Sequence, residues 1–88
     1  MNIPWEMLFE LITKLVEQCL AQGRPEGDIR SSLVSPSGAD WFGVWRGLGR
    51  AGIRGKDRRS YMAALREQAS KVSGDLADEI ISEAKGDA

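Results

Sequence analysis

Eighty-eight residues with 12 basic and 13 acidic side chains give a net charge of −1, and 42% hydrophobic residues provide enough apolar material for one modest core. This composition lies away from the low-hydrophobicity, high-charge corner of disordered chains. The single Cys19 excludes an internal disulfide, and the absence of His removes both the usual zinc ligand and the usual general base at neutral pH. The expectation is one all-α domain over residues 1–88, non-enzymatic, without metal or cofactor, in a reducing cytoplasmic setting.

Residues 4–22 form the clearest element, because Trp5, Leu8, Phe9, Ile12, Leu15, Val16, Cys19 and Leu20 recur at spacings of three and four. Pro4 suits a first helical turn, and Gly23 followed by Arg24 and Pro25 supplies a stop. Glu6, Glu10, Lys14 and Glu17 interrupt the apolar run too often for a membrane span, and a mainly acidic polar face disfavours anionic lipid. Membrane is therefore not an expected partner. Met7 and Leu11 widen the stripe, giving this helix two neighbours and a surface for self-association. Cys19, on the same apolar face, is a packing residue rather than a reactive thiol.

Residues 23–38 collect Pro25, Pro36, Gly27, Gly38 and several serines, which marks a connector with one helical turn around Asp28 to Val34 packing Ile29 and Leu33. A glycine-rich basic helix follows at about 39–52, with Ser37 and Asp40 in a capping-box arrangement. Trp41, Val44 or Trp45, and Leu48 line its inner side, whereas Gly43, Gly47, Gly49 and Gly52 each cost up to about 1 kcal/mol in a helix interior. A long C-terminal helix is expected over about 56–84, since Tyr61 or Met62, Leu65, Ala69, Val72, Leu76 and Ile80 keep the helical spacing. Ser73-Gly74-Asp75 is its weak point, where either a kink or a fresh start fits, and continuity places Gly74 on the exposed side. The fold expected is thus a small bundle of three to four helices with a long final one. No period-two stretch or Asn-Gly turn supports strands.

Gly47-Leu48-Gly49-Arg50-Ala51-Gly52 spells G-x-G-x-x-G. The dinucleotide fingerprint also needs a preceding strand, a helix opening directly from the glycines and a parallel partner strand, and that context is missing.

Charge is the strongest functional clue. Arg46, Arg50, Arg54, Lys56, Arg58, Arg59 and Arg66 fall within twenty-one positions, opposed there only by Asp57, so this stretch carries +6 within a near-neutral chain. Arg46, Arg50 and Arg54 share a helix face if the third helix persists. Guanidinium groups bind phosphate or carboxylate through forked hydrogen bonds, which suits an anionic partner, nucleic acid slightly ahead of an acidic protein. The opposing reading leaves these cations as a solvated face paired with the acidic first and last helices. Trp41 and Trp45, one turn apart, belong to a core, and Phe42, pointing away from both, is the aromatic candidate for partner contact. From a different class, the chain reads as a structural or regulatory interaction module. It would then be a self-associating or accessory factor, of a size suiting a phage-borne or operon-borne gene, acting through the first helix and exposed aromatics.

Overall fold

The computed structural model describes residues 3–35 and 41–86, with the Phe42 side chain excluded. Five helices follow one another: α1 Trp5–Ala21, α2 Glu26–Val34, α3 Trp41–Arg50, α4 Gly55–Ala69 and α5 Gly74–Lys85. Among the described residues there is no strand, and no helix is long and apolar enough to cross a membrane.

α1 is the hub. It packs against each of the other four helices, because its wide stripe turns Leu8, Leu11, Ile12 and Val16 inward over an arc too broad for one neighbour. Pro4 stands just before the helix rather than in its first turn, and its carbonyl accepts from the Met7 and Leu8 amides at 3.1 and 3.2 Å. Pro25 repeats the device ahead of α2, accepting from Asp28 and Ile29 at 3.1 and 3.2 Å. Between them Gly23, at φ +79°, ends α1: its amide bonds the Leu20 carbonyl and the Arg24 amide bonds that of Cys19, the paired closure of a Schellman motif. Thr13, a buried polar residue, donates to the Phe9 carbonyl at 2.8 Å and so carries no unmet hydrogen bond.

Four expectations are corrected. The connector over 23–38 contains a nine-residue helix rather than a single turn, with Ile29 buried and Leu33 packed at the core edge. The bundle accordingly has five helices, not three or four. The long helix over 56–84 is two helices, because Ser73 takes an extended conformation and its hydroxyl accepts from the Leu76 amide at 3.1 Å, starting α5 afresh. The apolar spacing runs unbroken through the junction because Val72 is buried within the turn itself. Gly74 is half-buried instead of exposed: a Cβ there would collide with the Arg30 guanidinium, which closes over it to reach Asp78 at 2.9 Å. The Ser37–Asp40 capping arrangement and the helix start at residue 39 lie outside the described residues.

The core runs through all five helices, with Leu48 and Ile80 wholly buried and Leu8, Leu11, Ile12, Val16, Ile29, Met62 and Leu65 around them.

Candidate functional site

The basic segment is built on α3, α4 and the turn joining them, and its glycines explain how. Leu48, fully buried, anchors α3. A Cβ on Gly47 would stand 2.6 Å from Leu15 Cδ2, so the missing side chain lets α3 sit close on α1, where Gln18 Nε2 donates to the Gly47 carbonyl at 3.5 Å. Gly49 leaves space for the Arg58 guanidinium. Gly52, at φ +87°, terminates α3: its amide bonds the Gly49 carbonyl at 3.1 Å and the Ile53 amide bonds that of Leu48 at 3.0 Å. The G-x-G-x-x-G spelling is therefore one close helix approach, one berth for an arginine and one helix stop, preceded by helix rather than strand.

Six of the seven cations divide into two groups. Arg58 and Arg66 are used internally. Arg58 lies 4.6 Å above the Trp45 ring and its Nε donates to the Ile53 carbonyl at 3.2 Å, while Arg66 lies 5.4 Å above the Trp41 ring. The residue order is antiparallel, Trp41 with Arg66 and Trp45 with Arg58, so two cation–π stacks fasten α3 to α4 along their length. Trp41 and Trp45 are half-buried, with packing against the core combined with this guanidinium cover.

Arg50, Arg54, Lys56 and Arg59 are exposed, and among the described residues none has an ion-pair partner. Among the described residues, ion pairs join Lys14 to Glu10, Arg30 to Asp78, Lys71 to Glu67 and Lys85 to Glu26. Lys56 and Arg59, one turn apart, share the outward face of α4, and Arg54 precedes its first turn. Arg46 and Arg50 share a face of α3, both exposed, and border a groove.

That groove, of about 260 Å³, opens between α1, α2, α3 and α4. Its apolar walls include Ile12, Val16, Leu33, Val44, Leu65 and Ala69, and its polar margin comprises Arg24, Arg46 and Arg50 with Gln18, Gln22 and Ser32. Cys19 lines it as a half-buried free thiol 3.8 Å from Arg24 Nη1. Sequence reasoning missed the groove because Arg24 and Arg46 are twenty-two positions apart and nothing local marks them as neighbours.

At the other end of α1, Trp5 and Met7 are the large hydrophobic side chains most exposed among the described residues, at 39% and 46%, and Trp5 meets Phe9 edge-on at 6.1 Å. Leu11, expected to extend this outer stripe, is buried. The Phe42 side chain lies outside the described residues. Among those described, no cluster of three or more His, Cys, Asp or Glu is arranged to hold a metal ion. No family model matches this chain, and comparisons with curated proteins and with solved structures find no match either.

Proposed function

We propose that this protein is a small, non-enzymatic binding module that docks an anionic partner, with a nucleic-acid backbone favoured over an acidic protein surface. The observation that carries this reading is that Arg50, Arg54, Lys56 and Arg59 stand exposed and, among the described residues, have no ion-pair partner, while Glu10, Glu26, Glu67 and Asp78 pair with cations outside the basic segment. Unpaired cations on adjacent elements attract phosphate and release condensed counterions when they meet it. Arg58 and Arg66 act as supports, holding α3 and α4 at the spacing that presents the others.

Electrophoretic mobility of a mixed DNA and RNA pool, titrated with protein from low to high salt, tests the reading. Four phosphate contacts give a slope of log affinity against log salt of about −3 to −4. Reversing three charges with Arg54→Glu, Lys56→Glu and Arg59→Glu removes the shift and leaves the fold intact. Absence of any shift at low salt ends the nucleic-acid reading.

One observation favours a second reading, in which the module works through protein–protein contact. Trp5 and Met7 expose apolar surface at one end of α1, a surface suited to a second copy of the chain. Sedimentation of the wild type against Met7→Lys reads this directly: a dimer that the substitution dissociates supports it.

A further inference from the structure

α2 is lightly attached to the molecule. Of its nine residues only Ile29 is buried, whereas α5, with twelve, buries Ala77, Ile80 and Ile81. Glu26, Gly27, Asp28, Arg30 and Ser31 all stand exposed. Yet α2 supplies Ile29, Ser32 and Leu33 to the groove that Ile12, Val16 and Leu65 also line, so it covers part of the core.

Two ion pairs run along its seam with α5, the helix it chiefly packs against. Arg30 Nε donates to Asp78 Oδ1 at 2.9 Å, and Lys85 Nζ lies 3.3 Å from Glu26 Oε1, so each helix contributes one acid and one base. Gly74 completes the seat, because a Cβ there would collide with the Arg30 guanidinium. The four paired side chains are 40–60% exposed, and a cleft lined by them and by Ile81 opens between the two helices. Ion pairs this open to water are screened by salt.

The chain leading into α2 suits a hinge. Gly23 has φ +79° with open space where a Cβ would stand, and Pro25 precedes the first turn without a side-chain cap. A helix shorter than about 12–15 residues is marginal alone in water, so a nine-residue α2 unfolds once it leaves α5. Segments with few buried apolar contacts open at the low end of a protein's range of local stabilities.

We infer that α2 is an electrostatically fastened flap. It lifts from α5 as one unit ahead of the rest of the fold, uncovers the groove between α1, α2, α3 and α4, and does so more often as ionic strength rises. This device uses none of Arg54, Lys56 or Arg59, so it stands or falls apart from the nucleic-acid reading.

The test is native-state hydrogen exchange of the full chain, resolved by residue and repeated across sub-denaturing urea. Corrected for intrinsic rates, the amides of Arg30 to Val34 should exchange about tenfold or more faster than those of Asp78 to Ala84, through one shared opening with a shallower urea dependence. Raising salt from about 0.01 to about 1 M shortens the Debye length from about 30 to about 3 Å and should speed α2 exchange about two- to fivefold. Asp78→Asn should speed it by a similar factor and blunt the salt response, which a purely apolar attachment would not show. Gly74→Ala unseats Arg30 without removing a charge. It should speed α2 exchange about twofold or more and α5 exchange by less, because Ala favours α5 whether or not α2 is docked. Alkylation of Cys19, which lines the groove, by a bulky maleimide should rise in step with α2 exchange. The wild-type urea series decides the first point without any variant. The inference is overturned if α2 and α5 share one opening with one urea slope, if salt and Asp78→Asn leave α2 exchange unchanged, or if Cys19 alkylation does not follow the α2 opening.

Discussion

The α1–α5 side and the α3–α4 side of this molecule solve the same packing problem with different materials. Between α1 and α5 the contact is aliphatic, with Leu8, Ile12, Ala77, Ile80 and Ile81 buried and α5 started by a Ser73 cap. Between α3 and α4 a buried Leu48 and Met62 are flanked by two tryptophan rings covered by arginine, and Gly49 leaves room for the Arg58 guanidinium. The comparison teaches that a basic, glycine-rich sequence need not be a loose one. Glycine removes side chains where helices meet, and arginine supplies both a flat surface for an indole ring and a charge that stays at the protein's exterior.

The largest effects should come from either core. Ile80→Ala and Leu48→Ala each remove a wholly buried aliphatic side chain and should cost about 2–5 kcal/mol, measured by chemical denaturation. Equal losses would put both sides in one cooperative unit, whereas a much smaller loss for Leu48→Ala would mark the α3–α4 side as the weaker one.

Next comes the close contact at Gly47. Gly47→Leu places a side chain against Leu15 and should destabilise by about 1–3 kcal/mol through overpacking. An aliphatic exchange at Ile81 that conserves volume, such as Ile81→Leu, should stay under about 1.5 kcal/mol. The stacked arginines follow. Arg58→Ala loses the Trp45 stack and the bond to the Ile53 carbonyl, for about 1–2 kcal/mol, and Arg66→Ala loses only the Trp41 stack, for about 0.5–1 kcal/mol. If the two prove equal, the Ile53 bond contributes nothing. Ser73→Ala, which removes the cap of α5, should cost about 1 kcal/mol. The smallest effect belongs to the surface: Asp78→Asn breaks the exposed pair with Arg30 and should change stability by less than about 1 kcal/mol, falling further in high salt.

Much of the fold was legible because helical periodicity reports which face is buried regardless of what covers it. The stripe of α1 is legible in the sequence except at Leu11, which is buried, and at Trp5, which stands exposed, since the sequence counts apolar positions but not the neighbours that close over them. The break at Ser73 was visible as a weak point and misjudged as a kink. An apolar stripe continues equally well through a helix or through a tight turn that buries its own Val72. In the basic segment the charge was legible and its division of labour was not. Arg58 and Arg59 are adjacent and chemically identical, yet one is folded onto Trp45 and the other stands in solvent, a difference made by Gly49 on a separate helix.

What this sequence determined by itself is local: that helices dominate, that Gly23 stops the first of them, which faces are apolar, and that the positive charge gathers between residues 46 and 66. These follow from backbone sterics and periodicity, which act over a few residues. What only the tertiary structure decided is that Arg58 and Arg66 stack on Trp45 and Trp41 while Arg59 stands exposed, and that Arg24, Arg46 and Arg50 border a common cavity. Both depend on how four helices approach one another, and that distance is set by the side chains absent at Gly47 and Gly49 as much as by those present.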